Sequence, residues 1–360
     1  MGDPDIESQL LTTPGVSTLI AGDQFVRNSL LRDALSAETG DLLDVREIDL
    51  SWPVEPFGAV AEVKEAAGSE DTMLGVLDGV EIVVTEMAPM TRRVLDSAET
   101  LRLIVICRGG PVNVNLEAAT ERGIPVCYTP ARNAAATAEY TIGLLLAALR
   151  HLAEGHRDLL DGVWRGDFYA YDVAGTELEG KTAGLLGFGA VGSRVARVLQ
   201  AFGAEVLVAD PYVDQKAVEA AGATLVAFDE LLPRADVLSL HARLTLETRH
   251  LLDREAIARL PDGAVVVNAA RGGLLDQDAL CAALDSGKLR AAALDVYDPE
   301  PPPPGSRLFT TPNLVLSPHL AGATRETAER AAVIAAAEVG RYLRGEPLLN
   351  VANPDAIAGE

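Results

Sequence analysis

The sequence predicts an α/β protein built from two doubly wound parallel-sheet domains. Three observations carry that expectation: the length, the alternation of strand-like and helical runs, and a glycine-rich turn inside the second series of them. At 360 residues the chain exceeds what one hydrophobic core ordinarily organises, and a 48% apolar share can fill two.

In the first series, strand-like runs fall at Ser17–Ala21, Val45–Ile48, Glu81–Thr85, Leu103–Cys107 and Pro125–Cys127. Helical patterns lie between several of them, as at Phe25–Leu35 and Leu116–Arg122. Residues 1–15 read as a loose tail, and Trp52–Glu70 as loop plus a short helix. Pro130, Arg132 and Asn133 interrupt the pattern, and one long helix is expected from about Ala135 to Leu160. The second series follows at Ala183–Leu186, Val206–Ala209, Val237–Leu240, Ala264–Asn268, Ala292–Val296 and Leu314–Ser317. Pro299–Pro304 must be an extended loop, and a final Ala-rich helix is expected over Glu326–Arg344.

A formal charge of −23, with only four lysines (Lys64, Lys181, Lys216 and Lys288), argues against nucleic acid or an anionic membrane as partner. It also means that an anionic ligand needs local help from arginines and helix N-termini. Cys107, Cys127 and Cys281 are widely spaced, with no CxxC; they read as buried, reduced thiols of a cytoplasmic protein, and no metal site is expected. The N-terminus lacks the basic and apolar segments of a secretion signal. The most apolar stretch, Thr141–Leu149, is bracketed by Glu139 and Arg150 and falls far short of the ~20 residues of a membrane span.

The strongest local signal is Gly187-Phe188-Gly189-Ala190-Val191-Gly192, which follows a strand-like run and opens a helix carrying Val195, Val198 and Leu199. Gly187 permits a tight turn, Gly189 lets backbone approach a pyrophosphate, and Gly192 lets helix and strand pack closely. Amides at the helix start then face the phosphates. The next strand ends at Asp210, 18 residues past Gly192, where a carboxylate accepts from ribose hydroxyls and repels the extra phosphate of NADP. The expected cofactor is NAD.

Hydride transfer from such a cofactor to a carbonyl also needs a proton donor for the carbonyl oxygen, a group that tunes the donor, and a cation wherever the substrate is anionic. Of five histidines, His151 and His156 lie on the long helix and His250 in a polar loop. His241 and His319 each end or follow a strand, where open α/β sheets bind ligands, and spacing alone does not choose between them.

Three further motifs follow the glycine turn in order. They are Val267-Asn268-Ala269-Ala270-Arg271-Gly272-Gly273, Ala293-Leu294-Asp295-Val296-Tyr297-Asp298-Pro299-Glu300-Pro301, and Ser317-Pro318-His319-Leu320-Ala321-Gly322. Together with the glycine turn they resemble the signatures of the D-isomer-specific 2-hydroxyacid dehydrogenases, including the 29-residue interval from Arg271 to Glu300. The resemblance implies an NAD-dependent oxidoreductase that interconverts a D-2-hydroxy acid and its 2-oxo acid. It assigns Arg271 to the substrate carboxylate and carbonyl, His319 to proton donation, and Glu300 to holding His319 and favouring its protonated form. It places Ala190, Val191, His241, Thr245, Ala269, Asp295, His319 and Gly322 with the glycines and Asp210 around the cofactor, Asp295 on the nicotinamide carboxamide. It also implies a Rossmann domain, residues 130–322, inserted into a flavodoxin-like substrate domain of residues 1–129 and 323–360. A homodimer through the NAD-binding domain is expected on the same ground.

At the substrate end the chain departs from the phosphoglycerate-oxidising members of that family. The glycine loop reads Arg108-Gly109-Gly110-Pro111-Val112-Asn113, and Arg108, Gly109, Gly110 and Glu86 are expected at the substrate. Thr85-Glu86 stands where those members tend to carry an arginine for phosphate. A carboxylate there repels phosphate, and either accepts from a polyol, pairs with a cation, or is a solvated strand-end acid. Arg243, in His241-Ala242-Arg243-Leu244-Thr245, has no assigned role. No regulatory domain is expected after residue 360. The rival expectations are a 3-phosphoglycerate dehydrogenase proper and an NAD(H)-sensing, corepressor-like binding protein.

Overall fold

The computed structural model describes residues 15–52 and 56–357. The expected tail, save Gly15, lies outside them, as do residues 53–55 of the expected loop. The chain divides into two compact units, residues 1–132 with 325–360, and residues 133–324.

The first unit alternates strands and helices: β1 (Val16–Gly22), α1 (Asn28–Thr39), β2 (Leu43–Asp49), α2 (Glu70–Leu74), β3 (Ile82–Thr85), α3 (Arg92–Ser97), β4 (Leu103–Ile106), α4 (Leu116–Glu121) and β5 (Val126–Tyr128). They form one parallel sheet in the order β2-β1-β3-β4-β5. Because side chains alternate across a strand, both faces must be apolar when both are covered. Leu19, Val83 and Ile104 accordingly enter one core with Val94, Leu95 and Ala118. Ile20, Val84 and Val105 enter the opposite core.

The second unit opens with α5 (Ala134–Leu149) and α6 (Leu152–Leu160), where the sequence predicted a single helix. His151 breaks it in the left-handed region at φ 54°. The physical reason is a crossing stretch of chain: Thr176 N–H donates to the Leu149 carbonyl that would have continued the helix, and the Val173 carbonyl meets His151 Nε2 at 2.9 Å. Then follow β6 (Thr182–Leu186), α7 (Gly192–Ala201), β7 (Glu205–Ala209), α8 (Gln215–Ala220), β8 (Thr224–Leu225), α9 (Phe228–Leu231), β9 (Val237–Leu240), α10 (Arg254–Arg259), β10 (Ala264–Asn268), α11 (Gln277–Asp285), β11 (Leu289–Leu294) and β12 (Leu314–Leu316). The seven strands run parallel in the order β12-β11-β10-β9-β6-β7-β8. The two-residue β8 is too short to leave a periodic signal and was not anticipated. Leu185, Val208 and Val265 fill one side of this sheet with Val195 and Leu199 of α7, while Leu186, Leu207 and Val266 fill the other.

The last helix, α12 (Arg325–Leu343), returns to the first unit and packs its alanine face, Ala331, Ala332 and Ala335, on α1 and the sheet. Beyond it the chain pairs antiparallel with β5 at Cys127 and Val351. Buried Glu338 of α12 secures this segment by accepting from Leu349 N (3.1 Å) and Asn350 Nδ2 (2.6 Å). The edge of β5 is thereby covered, which removes an open pairing template.

Candidate active site

In the seven-stranded sheet the strand order reverses beside β6, which lies between β7 and β9, and the glycine turn emerges there. A ligand crevice outside the strand ends is the general consequence of such a switch point. Gly187 has φ 102°, and a Cβ on it would stand 2.7 Å from the His241 carbonyl carbon. A Cβ on Gly192 would collide with the Gly187 carbonyl oxygen, whereas one on Gly189 would meet nothing within 4 Å. Two glycines therefore let the loop close on itself, and the third leaves open space above exposed Ala190 and half-buried Val191. Asp210, at the end of β7, accepts from Phe188 N (2.8 Å) and Tyr212 N (2.9 Å), so its carboxylate is fixed beside the loop. This cradle fits a dinucleotide: amides for phosphate and an oriented acid for a ribose.

Gly187→Ala should lower NADH affinity by at least about tenfold, since the turn tolerates neither the side chain nor the φ. Fluorescence titration measures this, with thermal unfolding as the check on folding.

His241 lies beneath the glycine loop, its Nε2 2.9 Å from Ser239 Oγ, and burial pushes its pKa down to about 4. It is a neutral imidazole at physiological pH, not the proton donor that spacing left open. Thr245 is exposed and holds its own turn, donating to Glu247 Oε2 at 2.6 Å. Ala269 is buried at the end of β10, and Gly322 packs against the side chain of Asn133.

Arg271 follows β10 and is exposed, its backbone held by Asn268, whose Nδ2 donates to the Arg271 carbonyl (2.9 Å). Gly272 lies so close to Tyr297 that a Cβ would overlap the tyrosine carbonyl. The Arg271 turn is therefore clamped to the segment that carries Glu300. Farther along, Asp276 caps α11 by accepting from Ala279 N (2.9 Å), which accounts for the acid in that motif.

His319 and Glu300 meet: Nδ1 stands 2.6 Å from Oε1. With the carboxylate accepting, Nδ1 carries the hydrogen and Nε2 is left for chemistry. His319 sits at φ 53°, a conformation that a non-glycine residue adopts only where its surroundings impose it. Buried Asp295 imposes it here. Its oxygens accept from Ser317 Oγ (2.6 Å), Leu320 N (2.9 Å) and Ala321 N (2.8 Å), and its carbonyl accepts from His319 N (2.9 Å). Through these contacts Asp295 braces the histidine loop. Tyr297 adds a second brace by donating to the Ser317 carbonyl (2.8 Å), and burial raises its pKa to about 12. The roles of Ser317 and Tyr297 were missed, although both lie inside the motifs.

In the first unit, Gly109 and Gly110 have open space where a Cβ would stand. The Arg108 side chain is engaged with Glu65 Oε2 (3.0 Å) and Met87 Sδ (2.9 Å). Glu86 is not a solvated strand-end acid. It is 2% exposed and pairs with Arg132 at 2.7 Å, because it leaves β3 among the ends of neighbouring strands rather than at the sheet's rim. Arg132 and buried Asp23, which follows β1, were not singled out from sequence; a cation four residues beyond β5 was the available signal. Burial, outweighing Arg132, pushes the Glu86 pKa up to about 7, and burial also raises that of Asp23.

A raised carboxyl contributes stability that is present below its unfolded pKa, near 4.5, and lost as pH rises through about 7. Glu86→Gln abolishes that loss. Wild type should therefore fall relative to the variant by a few kcal/mol between about pH 5 and about pH 8 in denaturant unfolding.

Residues 142–321 match the family model described as D-isomer specific 2-hydroxyacid dehydrogenase, NAD binding domain. The D-3-phosphoglycerate dehydrogenase of Methanocaldococcus jannaschii is 40% identical over 304 residues, 84% of this chain. The chain spans only 57% of that relative's length. The putative 2-hydroxyacid dehydrogenase YoaD of Bacillus subtilis is 36% identical, over 84% of this chain and 90% of its own. Among solved structures, the TT0316 protein of Thermus thermophilus superposes with a TM-score of 0.76 at 33% identity, covering 93% of this chain and 99% of that one. A glyoxylate reductase from Paecilomyes thermophila gives 0.75 at 30% identity, covering 94% and 98%.

Proposed function

The chain belongs to the D-isomer specific 2-hydroxyacid dehydrogenase family, and on that premise we propose that it interconverts a D-2-hydroxy acid and its 2-oxo acid with NAD. The observation that carries the reading is the 2.6 Å contact between His319 Nδ1 and Glu300, on a loop braced by Asp295. Bound NADH supplies the hydride when the oxo acid is reduced. The exposed Arg271 guanidinium binds the carboxylate in a two-pronged pair and polarises the carbonyl oxygen. His319 Nε2 delivers a proton to that oxygen, while Glu300 holds the ring and stabilises the imidazolium between turnovers. In oxidation, the same nitrogen takes the proton back.

Asp210 favours NAD over NADP by facing a 2′-phosphate with a carboxylate. Arg108, Gly109, Gly110 and Glu86 belong to substrate binding in this reading, Glu86 in place of a phosphate-binding cation. A homodimer through the NAD-binding unit is supported by exposed Leu159, Leu160, Trp164, Tyr169 and Tyr171, an apolar group that a monomer would leave in water. Three buried free thiols fit a reducing cytoplasm.

The test is NADH oxidation by purified protein across glyoxylate, hydroxypyruvate, phosphorylated and sugar-derived 2-oxo acids. Turnover of at least one of them is expected. NADH binding without any turnover would favour a nucleotide sensor.

A further inference from the structure

Glu300 stands in a stretch that is poorly able to anchor itself. Of residues 299–304, five are prolines (Pro299 and Pro301–Pro304), which carry no backbone N–H to donate. The strand before them, β11, ends at Leu294. Tyr297 N reaches Glu300 Oε2 only at 3.4 Å, a long contact for a hydrogen bond. Yet Glu300 Oε1 is held 2.6 Å from His319 Nδ1, so other groups must fix the acid against the imidazole.

The ties lie two residues earlier, at Asp298. Its carbonyl accepts from Gln277 Nε2 at 2.6 Å, and its carboxylate pairs with Arg249 Nη2 at 2.7 Å. Backbone and side chain of one residue are therefore both held, and from two elements: Gln277 opens α11, while Arg249 belongs to the loop between β9 and α10. Only Pro299 separates Asp298 from Glu300, and its ring locks φ, which limits the swing of the acid about its tethered neighbour.

Both partners are themselves fastened to the turn that carries Arg271. Next to Arg249, His250 N donates to the Gly273 carbonyl (2.8 Å), and Leu252 bridges to Leu275. Gln277 directly follows Asp276, the cap of α11. The guanidinium assigned to the substrate carboxylate and the acid beside the proton donor thus share one frame.

Stability alone is a poor reason for these contacts. The Arg249 and Asp298 side chains are 53% and 34% exposed, and ion pairs so open to water add little to folding. Gln277 Oε1 is buried without a partner among the described residues, which counts against the fold.

We infer that Arg249, Gln277 and Asp298 are positioning residues: they hold Glu300 at hydrogen-bond distance from His319 and act on proton transfer through it. The inference deepens the proposed function and rests on it for the reaction whose proton His319 moves.

Gln277→Leu, Asp298→Ala and Arg249→Met test it on the full chain, by steady-state reduction of glyoxylate or hydroxypyruvate with NADH, whichever wild type reduces faster. Each should lower kcat by about tenfold to a hundredfold, the scale for misplacing a reacting group by about 1 Å, while KM for the oxo acid and NADH affinity stay near wild type. Arg249→Met alters an exposed side chain that the fold can lose. Asp298→Asn, which keeps an acceptor for Arg249, should restore most of the rate lost in Asp298→Ala. In a Glu300→Gln background, Gln277→Leu should cost almost nothing more, because its effect passes through that carboxylate. Unchanged kcat, a change confined to KM, or a loss undiminished in the Glu300→Gln background overturns the inference.

Proton NMR of the His319 Nδ1 hydrogen gives a second reading that needs no turnover. Isotope-labelled histidine reveals the signal, and its absence from His319→Gln assigns it. The hydrogen-bonded signal of wild type should vanish or move upfield in Gln277→Leu and Asp298→Ala, and an unmoved signal overturns the inference. If wild type reduces no oxo acid but the signal responds, the dehydrogenase reading fails and the positioning of Glu300 stands.

Discussion

Arg271→Ala should lower kcat/KM for a 2-oxo acid by about a thousandfold or more while NADH affinity stays near its wild-type value. The guanidinium is exposed and its turn is built by Asn268 and by the close packing of Gly272 on Tyr297, so truncation removes chemistry and leaves the scaffold. A charge-assisted hydrogen bond contributes about 1.5–3 kcal/mol, and each 1.4 kcal/mol is a factor of about ten in rate. Two such bonds to the carboxylate, with polarisation of the carbonyl added, reach the stated loss. Arg271→Lys should recover only part of it, because an ammonium cannot reproduce the planar fork. Steady-state kinetics on both variants, with NADH fluorescence titration beside them, reads the two effects separately. A tenfold loss or less would remove Arg271 from the substrate.

His319→Gln should cost about a hundredfold to ten-thousandfold in kcat, the usual worth of a positioned proton donor. The amide fills the same space next to Glu300 but cannot deliver a proton to the carbonyl oxygen. Glu300→Gln keeps a hydrogen-bond acceptor within reach of Nδ1 and loses the charge, and a smaller fall is expected. The two groups work as a unit, 2.6 Å apart, so the double variant should be scarcely worse than His319→Gln alone. Additive losses would mean that Glu300 acts elsewhere.

Most of both sheets could be read from the chain because buried parallel strands are short apolar runs set between helices. Leu103–Ile106 and Ala264–Asn268 are of this kind and appear where expected. What sequence could not show came from contacts distant along the chain. The long helix breaks at His151 because Thr176, 27 positions beyond Leu149, takes the Leu149 carbonyl, and no local propensity records that. Likewise the Glu86 side chain had three readings, and only the arrival of Arg132 from 46 positions away decided that it is buried and paired. The motifs around Arg271, Glu300 and His319 were visible as residue types at fixed intervals. The bracing role of Asp295 was not, since it depends on where Ser317, Leu320 and Ala321 turn their donors.

The most direct measurement is the fate of deuterium from NADH dideuterated at C4 during reduction of whichever 2-oxo acid turns over. Label at C2 of a D-configured 2-hydroxy acid, in stoichiometric amount and absent with Arg271→Ala, is the predicted result. Unlabelled product, an L-configured product, or deuterium retained on NADH that binds without reacting would contradict it.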